Sequence, residues 1–258
     1  MKKIWYGLVL FPLFMQAQET IINRGKIGLE FGSNGFWGET IVPNQVRASN
    51  SAYQYDDFYY DYPDMNQVLS NIYGGIKYES FFYKNRLGLA VGLRFSQFSS
   101  EMNASGRNQK YFAWLLRQDE LTTDYLMLQK IEQKNYYLGI PLELRYFFRN
   151  NSFFSWYFKL GTTVNYCLST NNTITFNDSA MEQYTGAIEE QIDKPSLFNA
   201  LVYPAWGFKL GNMKSIWGNI EIHLPGFLIG KKAHPFVRQD AGMGIQLSVQ
   251  IPLNKITQ

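Results

Sequence analysis

The chain has 258 residues, of which 17% are aromatic, 17% are charged and only one is cysteine. One cysteine excludes an internal disulfide and, with two histidines, a cysteine–histidine zinc cluster. The net charge of +3 is too small to indicate nucleic-acid binding, and charges of both signs at this low fraction argue against disorder.

The N-terminus has the pattern of a cleaved secretion signal. Two lysines precede an apolar run over residues 4–15, and Ala17 lies in the short zone that follows it. The run is shorter than the roughly 20 residues of a transmembrane helix. We therefore expect residues 1–18 to be cleaved and residues 19–258 to form a single domain. A buried N-terminal helix is the alternative.

Eight segments of alternating apolar and polar or small residues follow the signal. This period of two predicts strands with two different faces. In the third segment Leu89, Val91 and Leu93 share one face, and Ala90 and Gly92 share the other. The segments cover residues 26–32, 71–82, 86–96, 138–146, 153–168, 200–210, 214–224 and 243–253. Most are near the length of about 9–11 residues that a tilted membrane-spanning strand needs, or somewhat longer.

Short and long connections alternate between these segments. The short ones are 83–85, 149–152 and 211–213, and the long ones are about 34–70, 99–134, 169–199 and 225–239. Outer-membrane barrels have short periplasmic turns and long external loops. The sequence therefore predicts an all-β fold, an eight-stranded antiparallel up-and-down transmembrane β-barrel with long external loops. We expect it in the cell outer membrane with both termini in the periplasm. A soluble lipocalin-like barrel or sandwich is the alternative.

The two faces of the segments differ as a membrane barrel requires. One face is aliphatic and aromatic, which suits contact with outer-membrane lipid. The other carries charges, which would be costly in an apolar sandwich core but can pair inside a barrel. We expect a polar network in the lumen made of Lys26, Glu30, Lys77, Glu79, Arg94, Glu143, Arg145, Lys159, Glu221 and His223. Arg86 and Lys209 share this face.

Aromatic residues near both ends of the predicted strands indicate two interfacial girdles. At the short-turn end these residues are Phe81, Phe82, Tyr83, Tyr146, Phe147, Phe148, Phe153, Phe154 and Trp156. Near the other end they are Phe98, Tyr136 and Tyr166. Pro141 and Pro204 fall inside strands, where a residue without an N–H predicts bulges.

The strand Tyr136–Tyr146 reads Tyr-Tyr-Leu-Gly-Ile-Pro-Leu-Glu-Leu-Arg-Tyr. It resembles a strand of the PorT-like outer-membrane β-barrel family, which is common in Bacteroidota, and the Gln-Ala-Gln end of the signal is similar to that group. The resemblance implies an eight-stranded outer-membrane barrel. Some members serve type IX secretion and gliding, so a part in that machinery is an alternative function. No catalytic residue transfers from the family.

An enzyme is the rival hypothesis to a structural or interaction protein. Eight strands leave an interior just wide enough for side chains, which disfavours a general porin. An outer-membrane lipid-modifying or proteolytic enzyme would use His223 with Glu221, which lie two residues apart on the lumen face. No serine shares that strand face nearby, so we expect a non-catalytic protein. We expect His234 to be an exposed loop residue and Cys167 to be a lumen filler.

The external loops are where a partner would bind, because a rigid scaffold presents them. Candidate ligand- or partner-binding residues of the first loop are Tyr55, Asp56, Asp57, Tyr59, Tyr60, Asp61 and Tyr62. The second loop adds Trp114, in a stretch that predicts either an amphipathic helix or strands continuing the barrel. The acidic spacing does not match an EF-hand. We expect no metal, no cofactor and a possible protein partner.

Overall fold

A computed structural model describes residues 25–47, 65–83, 85–104, 111–118, 123–148, 153–212, 215–230 and 234–253. The expected signal peptide, residues 1–18, lies outside these described residues, as does the motif of tyrosines and aspartates in the first loop, residues 53–64. The description below therefore concerns the strands, their short connections and parts of the longer ones.

Strands make up most of the described chain. In chain order they are β1 (Lys26–Thr40), β2 (Val46–Arg47), β3 (Met65–Phe82), β4 (Leu87–Ala104), β5 (Phe112–Gln118), β6 (Thr123–Phe147), β7 (Phe154–Phe176), β8 (Phe198–Leu210), β9 (Trp217–Ile229) and β10 (Val237–Pro252). A 3-10 turn (Ser179–Tyr184) and helix α1 (Thr185–Gln191) connect β7 to β8. Among the described residues, no helix is long and apolar enough to span a membrane.

Eight of these strands, all except β2 and β5, form a closed ring of antiparallel pairs. Strands that follow one another in the chain are neighbours in the ring. The ring closes where β1 pairs with β10, from Lys26 opposite Pro252 to Thr40 opposite Val237. Because the chain order is also the order around the ring, the topology is up-and-down. The predicted all-β, eight-stranded antiparallel barrel is confirmed.

The strands are longer than the sequence pattern predicted, and the expected loops are correspondingly shorter. β6 has 25 residues, which is about 80 Å of chain at roughly 3.3 Å per residue. Much of the expected loops 34–70, 99–134 and 169–199 is therefore strand. We call the end with the short connections the turn end and the other the loop end.

The reason for this error lies in the outward positions of the strands. Beyond Phe95 on β4 they change from apolar to polar, with Gln97, Ser99 and Glu101, while the pairing with β3 continues to Ala104. The two faces no longer differ in hydrophobicity there, although the backbone pairing continues. The alternation of apolar residues therefore ends at Phe95, whereas the strand continues to Ala104.

The segment expected as loop 99–134 continues the barrel as strands, which was one of the two predicted forms. β6 pairs with β4 as far as Lys130, opposite Asn103, and then with β5, starting at Leu128 opposite Phe112. The short strand β2 pairs with the other edge of β5. These strands raise the wall of the barrel at the loop end.

The bulge predicted at Pro204 is confirmed as a shift of register. Between the pairs Val202–Phe227 and Ala205–His223, three residues of β9 face two of β8. A register shift also separates β9 from β10 at this level. The extra residue therefore belongs to β9, opposite the proline of β8.

The bulge predicted at Pro141 is wrong. The pairing of β4 with β6 keeps one register from Val91 to Arg94, with the two positions between them missing from the ladder. On its other side Pro141 is opposite Thr163 of β7 without a shift. A short gap in one ladder is enough to accommodate a residue that lacks an N–H.

Glycines allow β3 and β4 to approach closely beside the barrel interior. A Cβ on Gly92 would lie 2.1 Å from the carbonyl oxygen of Ile76 and 2.7 Å from Cα of Lys77. A Cβ on Gly75 would lie 2.6 Å from the carbonyl oxygen of Leu93. These are contacts with backbone, so a side chain could be placed only by moving the paired strands.

We expect Gly92→Ala to lower the free energy of unfolding by about 1–3 kcal/mol, because the added methyl group overpacks the β3–β4 contact. Gly35→Ala is the matched control, since a Cβ there meets nothing within 4 Å. Urea unfolding of the protein in detergent micelles, followed by tryptophan fluorescence, measures both variants. Equal midpoints for the two variants would contradict the close approach.

Candidate functional site

The outer surface of the barrel carries a band of exposed apolar side chains. On β4 the five outward residues between Leu87 and Phe95 are apolar, and Leu93 among them is 58% exposed. The band therefore spans nine residues of this strand, close to the length of about 9–11 residues that crosses a bilayer. A soluble barrel would bury its apolar face and expose its charged one, which is the reverse of what is observed.

Aromatic side chains lie at both edges of this band, although three of those predicted there do not. At the turn end the exposed ones are Tyr83, Tyr146, Phe148, Phe153, Phe154 and Trp156. At the loop end Tyr136 stacks on Phe95 with ring centroids 6.1 Å apart. Phe81, Phe98 and Phe147 are buried inside the barrel, which corrects their assignment to the girdles.

The interior contains a buried cluster of charged side chains, which we call the charged cluster. It has four basic and four acidic members, so their formal charges balance, and each side chain is at most 2% exposed. They come from six of the eight barrel strands. The members are Glu30, Lys77, Glu79, Arg94, Glu143, Arg145, Lys159 and Glu221. The structure thus brings together eight of the ten residues proposed for the lumen network.

Glu143 of β6 lies at the centre of this cluster and contacts all four cations. Its carboxylate oxygens are 2.9 Å from Lys77 Nζ, 3.2 Å from Arg94 Nη2, 3.0 Å from Arg145 Nη2 and 3.3 Å from Lys159 Nζ. Carboxylates hydrogen-bonded to several cations in a desolvated site are held in place strongly, because losing one partner leaves other charges uncompensated.

The other three carboxylates share the same cations. Glu30 pairs with Lys77 at 2.9 Å and with Arg94 Nε at 2.7 Å. Glu221 pairs with Arg145 at 2.9 Å and also contacts Lys159. Arg145 Nη1 lies 3.2 Å from Glu79. Each cation therefore has at least two carboxylate partners.

Neutral side chains complete the hydrogen bonds of the charged cluster, and the sequence interpretation missed them. The hydroxyls of Tyr203 and Tyr157 donate to Glu143 and Glu221 at 3.0 and 2.6 Å. The Tyr73 hydroxyl donates to Gln246 Oε1 at 2.9 Å. All are on the inward face in the period-two pattern, and this alternation is the sequence signal that places them in the interior.

An aromatic cluster closes the interior at the turn end. Phe81, Phe147, Tyr157 and Trp217 form it, and the Phe147 and Tyr157 ring centroids are 4.8 Å apart. The ammonium group of Lys26 lies 3.7 Å from the ring centroid of Trp217, which is cation–π distance. Lys26 is thus in the interior, on the turn-end side of the charged cluster, and lies opposite Glu79 in the pairing of β1 with β3. Arg86, by contrast, is exposed at the turn, which corrects its placement on the lumen face.

His223 is buried in the interior, next to the charged cluster. Its Nδ1 lies 2.8 Å from Asn34 Oδ1, and its Nε2 is 4.0 Å from Glu221. Its ring packs against Tyr203, with centroids 4.4 Å apart, and faces Tyr73 at 6.3 Å. These contacts hold the imidazole as a packed structural group.

A hydrophobic core fills the loop end of the barrel. It includes Phe98, Met102, Phe112, Leu128 and Ile131, together with Ile188 and Ile192 from the segment between β7 and β8. Trp114 is fully buried in this core and its Nε1 donates to Gln191 Oε1 at 2.7 Å. Its proposed role in partner binding is therefore wrong, because the core takes up its surface. Tyr55, Asp56, Asp57, Tyr59, Tyr60, Asp61 and Tyr62 lie outside the described residues.

His234 lies between β9 and β10 and is buried, not exposed as predicted. Only 2% of its surface is accessible, and its ring stacks on Phe98 with centroids 5.2 Å apart. Neither ring nitrogen has a hydrogen-bond partner within the described part of the chain. Burial lowers the pKa of His234 to about 3, so the ring is neutral in the folded protein. Cys167 is half-buried and packs against the same core.

The described residues contain no group of three or more histidine, cysteine, aspartate or glutamate side chains that could hold a metal ion. Between the aromatic cluster at the turn end and the core at the loop end, the acidic groups of the interior are engaged with lysines and arginines. The arrangement favours a filled and mechanically fixed interior. In this arrangement the charged cluster is a structural element of the barrel.

Comparison with known proteins gives similar solved structures and no sequence family. No family model matches, and no curated protein matches. The chain is similar to the outer membrane protein OprG from Pseudomonas aeruginosa, with 12% identity, 89% of this chain and 94% of that chain covered, and a TM-score of 0.38. It is similar to Ail, the attachment invasion locus protein of Yersinia pestis, with 8% identity, coverage of 90% and 98%, and a TM-score of 0.27.

The transport unit of the autotransporter AIDA-I from Escherichia coli is also similar, with 10% identity, 96% of each chain covered and a TM-score of 0.29. At these identities and TM-scores the likenesses carry no argument about this chain. The barrel is established by its own strand pairing.

We expect Glu143→Gln to lower the free energy of unfolding by about 3–5 kcal/mol, because it leaves four buried cations facing three carboxylates. Glu101→Gln is the control, since Glu101 pairs with Lys130 at 2.7 Å on the partly exposed outer wall. Glu101→Gln should lower the free energy of unfolding by no more than about 1 kcal/mol. Urea unfolding in detergent micelles measures both.

A second variant separates charge from packing in this prediction. Glu143→Gln combined with Lys159→Gln restores the balance of formal charges and should recover part of the lost stability. If Glu143→Gln unfolds at the same urea concentration as the wild type, the charged cluster is not what holds these strands together.

We expect the folded protein to lose stability as the pH falls below about 6.5, partly because of His234. The unfolded chain protonates this histidine near its ordinary pKa of 6.5, whereas the folded pKa is about 3. The contribution is about 1.4 kcal/mol for each pH unit between these values. His234→Phe should flatten this part of the profile of unfolding midpoint against pH. An unchanged slope would contradict a buried neutral His234.

Proposed function

We propose that this chain is an integral outer-membrane β-barrel protein that acts as a closed scaffold for an interaction surface outside the cell. The observation that carries the proposal is the inverted distribution of side chains, with an exposed apolar band around a buried charged cluster. An apolar surface of this extent is stable only against lipid or another apolar surface. The eight strands close into a ring, so the described sheet has no free edge within the band, as lipid contact requires.

The two ends of the barrel support a proposal for its direction in the membrane. At the turn end the strands stop close to the apolar band, because β4 begins at Leu87, the first apolar residue of the band, and β6 ends one residue after the exposed Tyr146. At the loop end β4, β6 and β7 run far beyond the band and enclose a hydrophobic core of their own. Outer-membrane barrels place short turns in the periplasm and large elements outside. We therefore propose that the loop end is extracellular and that both termini are periplasmic.

We propose an interaction role and not a catalytic or conducting one. The interior is occupied by the charged cluster between two packed hydrophobic clusters. His223, the candidate base for a hydrolase, is 1% exposed and contacts Asn34 and two tyrosines. A catalytic base must reach its substrate, and the described surroundings of this ring offer a lipid or a peptide no approach.

The second candidate is a part in type IX secretion or gliding. The strand motif at Tyr136–Tyr146, which resembles the PorT-like family, supports it by analogy of fold and sequence pattern. In the structure this strand is β6, whose Glu143 is the centre of the charged cluster. Normal export of type IX cargo by a deletion strain would rule this candidate out.

Location and orientation can be tested together in a bacterial outer membrane. The unboiled protein from the outer-membrane fraction should migrate faster on a gel than the boiled protein. With Cys167→Ser as background, a membrane-impermeant maleimide should label Glu189→Cys on intact cells and Ser215→Cys only after lysis. Both positions are exposed in the structure.

Recovery of the protein in the soluble periplasm would contradict membrane insertion. Labelling of Ser215→Cys, and not of Glu189→Cys, on intact cells would reverse the orientation. In a planar bilayer the folded protein should give no steady conductance, and stable current steps would contradict the closed interior.

A further inference from the structure

One edge of the extended wall at the loop end has no pairing strand among the residues that the structure describes. β8 pairs with β7 only up to Tyr166, opposite Phe198, whereas β6 pairs with β7 up to Phe176. Among the described residues, no strand pairs with the side of Ser169–Thr175 that faces away from β6. We call this segment of seven residues the open edge. It lies above the apolar band and beyond the barrel ring.

The backbone direction identifies which groups face outward. The Asn177 N–H donates to the Met127 carbonyl oxygen at 2.9 Å, so it points toward the side of β6. Directions alternate along a strand, so Thr170, Asn172 and Ile174 point their N–H and C=O groups away from β6. Below the edge, the Cys167 N–H donates outward to the Leu197 carbonyl oxygen at 2.8 Å. The outward side thus carries a regular row of donors and acceptors.

The open edge has none of the usual protections against strand pairing. Its sequence, Ser-Thr-Asn-Asn-Thr-Ile-Thr, has no charged residue and no proline. Register shifts lie at its two ends and none within it, so it is straight enough to pair. Its other side is fixed to β6, and Ile174 packs against the core. Exposed uncharged edges are templates for an added strand, which natural proteins normally block.

Charge beside the open edge indicates the kind of strand that would bind. The connection from β7 to β8, residues 177–197, starts and ends next to the edge and carries five acidic residues and one lysine. The acidic residues Asp178, Glu182, Glu189, Glu190 and Asp193 are all exposed. This acidic connection complements basic side chains on a ligand.

We propose that the open edge binds an extended, lysine- or arginine-containing peptide segment of a partner protein, which adds to β7 as a strand. The proposal rests on the proposed function, which places this end of the barrel outside the cell. Backbone hydrogen bonds supply the contact, and the acidic connection supplies the preference for a basic peptide.

A second copy of the chain is a poorer occupant of this edge. Two barrels in the same membrane run β7 in the same direction across it, so their open edges are not placed to form an antiparallel pair. A free peptide segment has no such restriction and can enter in either direction.

The test uses the full-length protein folded in detergent micelles and synthetic peptides. The probe is a fluorescent peptide of nine residues with alternating threonine and valine and a lysine at each end. Thr170→Pro removes an outward N–H without touching the ladder to β6, and proline is tolerated at strand edges. Thr170→Val is the matched control, because it keeps the N–H and the size of the side chain.

We expect Thr170→Pro to raise the Kd measured by fluorescence anisotropy at least about tenfold, through one lost hydrogen bond and the obstruction by the ring. Thr170→Val should bind as the wild type does. A peptide methylated on alternate backbone nitrogens should lose binding to the wild type by a similar factor. If Thr170→Pro fails to fold, the comparison of the methylated and unmethylated peptides on the wild-type protein tests the binding site instead.

A second set of measurements tests the charge preference. A peptide with glutamate at each end should bind more weakly than the lysine peptide, and Glu189→Gln with Glu190→Gln should reduce that difference. Addition of salt should also reduce it. Equal affinity for both peptides would overturn the preference for basic ligands.

Three outcomes would overturn the binding site itself. They are equal Kd values for Thr170→Pro and Thr170→Val, unchanged binding of the methylated peptide, and no binding to a wild-type protein that shows heat-modifiable migration. The last outcome would contradict the binding site and leave the proposed membrane barrel unaffected, so failure of one proposal is distinguishable from failure of the other. Loss of peptide binding in a variant without residues 53–64 would assign the ligand to the first loop instead.

Discussion

The contact of Glu143 with four buried cations is the interaction on which the rest of the barrel depends. The apolar outer face leaves these charges no route to water through the wall, so they must compensate one another inside. This need determines the neighbours of the charged cluster. Glycines allow β3 and β4 to approach closely beside it, tyrosines donate to its carboxylates, and hydrophobic clusters close both ends of the barrel.

Much of the ring could be predicted from the sequence, because lipid contact imposes a strict alternation on residues such as Leu89, Val91 and Leu93. The inward position of the charged residues followed from the same alternation. What the pattern could not give were features that depend on neighbours distant in the chain. The polar outer face of β4 beyond Phe95 hid the strand extension, and Trp114 and His234 became buried only because α1 and the loop-end core cover them.

The proposed interaction surface is separated from the buried charged side chains of the molecule. Titratable side chains concentrate at mid-barrel, where they are occupied with one another. The loop end, by contrast, combines a hydrophobic core, an acidic connection and a strand edge of neutral residues that has no pairing strand in the described part of the chain. Rigid support beneath a recognition surface reduces the conformational entropy lost on binding. In the proposed interaction role, the long strands hold such a surface at a distance from the lipid.

The distribution of the charged cluster over six strands also bears on how the barrel is assembled. A sheet that contained only β1, β3 and β4 would carry Glu30, Lys77, Glu79 and Arg94 without Glu143. On its inner face Glu79 would lack Arg145, and Lys77 and Arg94 would each lack one carboxylate partner, at a depth where lipid solvates no ion. Partly formed sheets are therefore unstable inside the bilayer, and the strands must enter it together. Insertion and ring closure then become one cooperative event, which favours a preformed sheet over strands added singly.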